Sequence, residues 1–307
     1  MAREQSGICA EANLHGAYLL LNGKDGHDHY LRLQLAKIPM LTERLSEQFS
    51  EAMLNVVIAV GQNYWSHLYP NHPHHGWSVF SEHLAELPMI APDLLIQIRA
   101  DRFDVIYIAT QQIYHLLQQH VELYEQIQAF RYLDGRNLMG FHDTPDNPRG
   151  KLRRACALTD NESKTVFSAG SYVYLLRYQY DLQRWQHLTM QQQEAVMGRS
   201  KLDGQLLPSA QRQPLSNADK AALESQTGRK KILWLNMPVA DIRSQGLISV
   251  GFSANSHDVP AWLAERLGKT VDGADLLLDY CQIEAGAAFF APSINFLEDA
   301  AGSDLFK

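Results

Sequence analysis

The sequence predicts an α+β protein built as a tandem of two ferredoxin-like halves, of the dimeric α+β barrel type. Three observations carry this. The order strand, helix, strand, strand, helix, strand occurs twice along the 307 residues, and that order is the ferredoxin-like pattern. Apolar residues recur every second residue in the strands and every fourth in the helices. A nine-residue stretch, "GFHDTPDNP" (Gly140–Pro148), lies between the two occurrences; its two Pro, two Asp and one Gly suit neither a helix nor a plain strand. The halves are therefore placed at 1–150 and 151–307. Two such halves can pack sheet on sheet or curve into a barrel-like core with helices outside.

The elements follow in order. "AYLLL" (Ala17–Leu21) reads as the opening strand. "LTERLSEQFSEAML" places Leu41, Leu45, Phe49 and Met53 four apart and predicts an amphipathic helix. "NVVIAVG" is a β-rich run closed by Gly61, and "QNYWSHLYPNHPHHGW" a long polar loop. "DLLIQIRA" is a strand. Asp101 is positioned to cap the next helix, with Asp104 in its first turn, through "DRFDVIYIATQQIYHLLQQHVELY". "IQAFRYLD" closes the half as a strand. In the second half "SYVYLLRYQYD" puts Tyr172, Tyr174, Tyr178 and Tyr180 on one face of a strand. "LQRWQHLTMQQQEAVMGR" is helical, with Thr189 as a cap. "RQPLSNADKAALESQTGRKK" (Arg212–Lys231) reads as a polar loop with a helical turn. "KKILWLNMPV" and "GLISVGFSA" are strands. "DVPAWLAERLG" is a helix with Pro260 in its first turn and Gly268 past its end, and "AGAAFFAPS" is the last strand.

Composition narrows the function classes. Apolar residues make up 46% and charged residues 20%, with a formal net charge of -7, the balance of a soluble globular chain. There is no basic stripe of the kind that marks nucleic-acid binding, and no apolar run long enough to span a bilayer. The N-terminal "MAREQSGICAEANLHGAYLLL" lacks a signal-peptide cleavage pattern. Cys9, Cys156 and Cys281 are few, odd in number and far apart, so they read as reduced thiols of a cytoplasmic protein, not as a disulfide or metal frame. His67, His72, His74 and His75 could bind a transition metal, but the Pro and Asn between them favour a solvated loop. The Tyr stripe and Trp65, Trp77, Trp185, Trp234 and Trp262 are compatible with electron transfer or with plain packing. No P-loop, dinucleotide glycine fingerprint or nucleophile elbow is present. Read alone, Asp143, Asp146 and Asn147 are either a surface turn or a pocket edge.

The flanking text resolves more. "FRYLDGRNLMGFHDTPDNP" resembles the G-F-x-D-G-x-x-N-P loop of the dye-decolorising (DyP-type) haem peroxidases. "SGICAEANLHGAYLLL", "DLLIQIRADRFD", "GSYVYLLRYQYDLQRWQHL", "MGRSKLDG", "ILWLNMPV" and "FFAPSINFL" resemble that family's other segments in the same order, covering nearly the whole chain. The resemblance implies two ferredoxin-like halves, haem held by the second, and hydrogen peroxide used to oxidise a small aromatic donor. It implies that Asp143 stands over the open face of the haem as an acid/base carboxylate, that Asn236 is a retained pocket residue, and that Arg199 of the G-R-T-K segment faces the cofactor. It implies a homo-oligomer.

The same alignment shows departures. Asn217 occupies the place of the family's axial His, and an amide is a poor iron ligand. Trp234 occupies the place of the distal Arg, whose loss commonly costs about 10²–10³ in rate. Gln97 replaces a His, and Thr144 replaces the loop's second Gly. The expectation is a degenerate peroxidase with weak or lost haem binding. The alternatives are a working haem peroxidase with a non-standard iron ligand, and a pocket turned to another small molecule with Asp143 as its anchor.

Overall fold

The computed structural model describes residues 2–74, 77, 86–160, 166–222, 232–269 and 273–302. Strand β1 (His15–Gly23) leads to helices α1 (Asp28–Leu35) and α2 (Ile38–Gln48), then β2 (Asn55–Gly61), the short α3 (Trp65–Leu68) and β3 (Leu94–Ala100). Helix α4 (Phe103–Leu117) and β4 (Val121–Phe130) complete the first half. After α5 (Lys151–Ala157) the second half runs β5 (Ser171–Tyr180), α6 (Leu182–Gln186), α7 (Met190–Met197) and α8 (Asn217–Lys220). It ends with β6 (Leu233–Ala240), β7 (Gln245–Ser253), α9 (Asp258–Arg266), β8 (Cys281–Ala291) and α10 (Ile294–Gly302).

The strands form one sheet in the order β4-β1-β3-β2-β8-β5-β7-β6. Each half contributes the ferredoxin-like order, fourth, first, third, second. The halves join where β2 pairs antiparallel with β8 at Val60↔Phe290 and Gly61↔Phe289. The two outermost strands, β4 and β6, also lie against each other, so the sheet curls towards a barrel.

Alternation of side chains splits the core into three. One layer sits under α1, α2 and α4 and holds Leu19, Leu31, Leu45, Ile96 and Ile113. A second lies under α7 and α9 and holds Tyr174, Tyr178, Trp185, Trp234 and Leu263. Between them is a shared layer to which both halves contribute, including Tyr18, Leu20, Val57, Leu175, Leu235 and Phe289.

Several sequence expectations need correction. The helix over Leu41 and Leu45 stops at Gln48; Met53 is 62% exposed with φ 50, so the four-residue stripe does not continue to it. Asp101 does not cap α4: its carboxylate accepts from Leu14 N and Asn13 Nδ2, both at 3.1 Å, tying the N-terminal segment to the sheet. The text "VELY" is strand, not helix, because β4 completes the pairing with β1 from Val121 onward. The expected polar loop is not solvated throughout. Trp65 donates to the His72 carbonyl at 2.8 Å, and the His74 ring packs 4.3 Å from Phe167 and 4.7 Å from Phe290. His75 and positions 223–231 of the expected linker lie outside the described residues. Thr189 does cap α7, in a reciprocal capping box with Gln192.

Candidate functional site

The Gly140–Pro148 loop is held by polar groups, not by regular structure. Asn137 Oδ1 accepts from the amides of Met139 (3.1 Å) and Phe141 (3.2 Å). Arg136 donates to the Gly140 carbonyl at 2.9 Å, to the Leu202 carbonyl at 3.0 Å and to the Lys201 carbonyl. Asn147 docks the far end on β6: its Nδ2 donates to the Trp234 carbonyl at 2.6 Å and its Oδ1 accepts from the Trp234 amide at 3.0 Å. Strand β6 is an outer strand with β7 as its ladder partner, so Asn147 supplies to Trp234 the two bonds that another strand would give.

That docking sets the loop over a cavity of about 120 Å³, lined by all five residues singled out in the sequence: Asp143, Arg199, Asn217, Trp234 and Asn236. Asn236 Nδ2 lies 3.3 Å from Asp143 Oδ1, and the Thr144 hydroxyl 3.3 Å from Asp143 Oδ2. Burial pushes the Asp143 carboxyl up to about 6, against the pull of these two donors. A carboxyl in that range can hold or release a proton near neutral pH. Trp234 is 3% exposed. Its ring lies 4.6 Å from that of Trp262, and its Nε1–H has no partner among the described residues. Gly251, directly across β7 from Trp234, makes room for the indole; a Cβ there would sit 2.7 Å from the ring.

Arg266, which lines the cavity, is ion-paired with Asp275. Arg266 and Asp275 are 5% and 1% exposed, and Arg266 Nε donates to Asp275 Oδ2 at 2.7 Å. Arg266 also donates to Tyr178 Oη at 3.0 Å; burial works against its charge, and Asp275, with Tyr178, more than offsets that and holds it charged. Asn217 Nδ2 donates to the same Asp275 oxygen at 2.8 Å. Asn217 thus presents an amide whose nitrogen is already engaged. Arg199 lines the cavity but is ion-paired with Asp146. Other lining side chains of metal-ligating type include His142, Met197, Tyr178, Tyr180 and Cys281. Arg136 Nη2 lies 2.9 Å from His142 Nε2, and burial pushes the Cys281 thiol up to about 12, so it stays protonated at neutral pH. No group of three or more His, Cys, Asp or Glu suited to a metal ion occurs among the described residues.

Sequence reasoning left Asn147 between turn and pocket edge and Trp262 between packing and electron transfer, and it missed Asp275 and Arg266. Asp275 carries a signal of its own, since its side chain accepts from Leu277 N as the cap of the turn Leu276–Asp279. Its partnership with Asn217, 58 residues away, does not show in any local pattern.

The fold and the loop define a class: α+β proteins of two ferredoxin-like halves, with a carboxylate-bearing loop over a cavity of the second half. Comparison narrows it. Sequence models of the N-terminal and C-terminal parts of the Dyp-type peroxidases match residues 5–131 and 134–296, and the chain belongs to that family. It is 27% identical over 292 residues to a dye-decolorizing peroxidase of Rhodococcus erythropolis, covering 92% of this chain and 84% of that one. A Shewanella oneidensis protein assigned to the dyp-type peroxidases superposes with a TM-score of 0.88 at 32% identity, covering 97% of this chain and 99% of that one. A variant of DypB from Rhodococcus jostii RHA1, in complex with heme, superposes with a TM-score of 0.85 at 25% identity over 97% and 99%. No helix among the described residues is long and apolar enough to cross a membrane.

Proposed function

We propose that this chain is a degenerate Dyp-type peroxidase that holds haem weakly or not at all and carries out little peroxide-dependent oxidation. One observation carries the reading. At the expected iron-ligand position Asn217 offers no imidazole: its amide would ligate only through the oxygen, a poor iron ligand, while its nitrogen donates to Asp275 of the buried Asp275–Arg266 pair. The residues present therefore do not fit a haem held through an axial imidazole. One further fact supports it: Trp234, buried in the lining, fills the side where the family carries a cation. We extend the proposal to a cytoplasmic homo-oligomer.

A second reading has its own support. Asp143, with its carboxyl raised to about 6 and paired with Asn236, keeps the proton-handling half of the site. That favours a cavity turned to another small molecule anchored on Asp143.

The test is a set of variants expressed with haem supplied, read by Soret absorbance per protein and by peroxide-dependent dye oxidation. The original protein is expected to purify nearly colourless. Asn217→His raises haem content and gives weak turnover. Adding Trp234→Arg raises turnover by a further 10²–10³ or so, the range for restoring one charged transition-state donor. The two changes are strongly non-additive, because the Arg has no role without iron. Stoichiometric haem in the unmodified protein, or a double variant that binds haem no better, overturns the reading.

A further inference from the structure

A second cavity, of about 500 Å³, shares Asp143, Thr144, Trp234 and Asn236 with the first and opens along the outer strand β6 towards the first half. Its lining is basic on an acidic chain: Arg99, Arg131, Arg136, Arg149 and Arg153 face Glu11, Asp134, Asp143 and Asp203, while the whole chain carries -7. Two of the arginines are answered, Arg136 by Asp134 at 2.8 Å and Arg153 by Glu11 at 3.6 Å. Among the described residues Arg131 bonds only a carbonyl, that of Asp134.

Arg99 is the exception that points to a ligand. It is 2% exposed in the middle of the sheet, flanked by β1 and β2. Among the described residues it has no carboxylate partner. Its one hydrogen bond runs from Nη2 to the Gly7 carbonyl at 3.2 Å, and its buried Nε has none. Burial pulls the Arg99 guanidinium down to about 10; Arg153 adds to this, while Tyr18 and, last, Glu11 only partly oppose it. Two residues along β3, both ends of the Gln97 amide are also unanswered, as is the hydroxyl of Tyr18 across the ladder. An unpaired buried cation is costly, and a protein retains one where something compensates it. A planar guanidinium fork matches a carboxylate in two parallel bonds. The volume falls within the range of small-molecule pockets, and Tyr132, Pro145, Trp234 and Pro238 give the lining an apolar part.

We propose that this second cavity binds a small organic carboxylate, its anion held by Arg99 and its body lying along Tyr132, Trp234 and Pro238. The inference stands apart from the haem reading, because none of the groups it uses for the anion belongs to the smaller cavity.

The experiment uses the full chain without added haem, sodium benzoate as probe, calorimetric titration and thermal melts. Benzoate is expected to bind saturably and raise Tm, more weakly as salt increases, while benzamide, its neutral counterpart, does neither. Arg99→Gln weakens binding about tenfold or more, the scale of a lost charged hydrogen bond. Should that variant fail to fold, Arg131→Ala and Arg149→Ala at the rim decide: each weakens benzoate about two- to fivefold, the scale of an exposed charge, with a smaller salt dependence and an unchanged melt in the absence of benzoate. The proposal is overturned by any of four results: no saturable benzoate binding, equal binding of benzamide, affinity insensitive to all three variants, or inorganic phosphate binding as tightly as benzoate.

Discussion

At the scale of single residues, the site was legible where chemistry sits in a contiguous motif and hidden where it sits in a pairing between distant segments. Asp143 and Asn236 could be named from their segments, and they meet at 3.3 Å. Asn147 could be read as a turn or pocket-edge residue and no further, because its role is to complete the backbone of Trp234, 87 residues away. Thr144 shows what the family's second glycine does at that place in the loop. Its φ is +41, a left-handed angle that a β-branched residue takes only under constraint. Such strain costs about 1–3 kcal/mol, and the extra unfolded-state freedom of glycine returns about 0.5–1 kcal/mol of it. Thr144→Gly is therefore expected to stabilise the protein by about 1 kcal/mol, read as a higher denaturant midpoint at unchanged slope; a lower midpoint would show that the hydroxyl's contact with Asp143 outweighs the strain. Asp143 itself gives a pH signature. Its folded value of about 6 lies above the ordinary 3.8, so the folded state binds the proton more tightly. The stability this confers is complete below about pH 4 and is lost as pH rises through 6. Asp143→Asn cannot ionise, so its stability relative to the original protein should climb between pH 4 and 6 and then level off. Parallel curves for the two proteins across that window would place the carboxyl at an ordinary value.

At the scale of elements, strands were easier to read than helix ends. Buried runs such as "NVVIAVG" and "DLLIQIRA" have few other fates, and they became β2 and β3. Helix α7 announced itself through Thr189 and Gln192. Helix α1 has no side-chain cap, and α5 starts after Gly150 at φ 55, so neither gave a start signal. Helix α10 did carry one in Ser293, whose hydroxyl accepts from the Phe296 amide at 3.2 Å. The end of α4 was misplaced because "VELY" pairs with β1 against its local preference, which is tertiary pairing overriding propensity. The β6–β7 ladder shows how element geometry shapes the site. Trp234 faces Gly251, and that glycine is what lets the indole lie flat over β7. Gly251→Ala should force the ring aside and destabilise the protein by about 1–3 kcal/mol through overpacking, with a shift in tryptophan emission as the contact with Trp262 is disturbed. The same change made in a Trp234→Ala background should cost much less. Equal costs in both backgrounds would mean that the glycine serves the strand and not the indole.

At the scale of the whole molecule, the two-half plan was legible because each half repeats one element order, whereas the way the halves merge was not. Nothing in a strand's alternation says which face meets the partner half. The structure shows that the inner faces of both halves of the sheet form a single shared layer, with Tyr18, Leu20, Val57 and Leu95 from the first half against Val173, Leu175, Leu235 and Phe289 from the second. Phe290, one residue on, turns to the opposite face and enters the first half's own core. Strand β8 therefore belongs structurally to both halves, and neither can open without exposing the other's apolar surface. This predicts one cooperative unfolding transition for the apo protein, despite a length at which separate transitions are common. Phe289→Ala makes the test sharp. The side chain is fully buried, and its loss should cost about 3–5 kcal/mol. If the halves are coupled through the shared layer, hydrogen exchange followed by mass spectrometry should show β1–β4 peptides and β5–β8 peptides losing protection by the same amount. A loss confined to β5–β8, or a two-step denaturant curve in the original protein, would mean that the halves fold as separate units that merely touch.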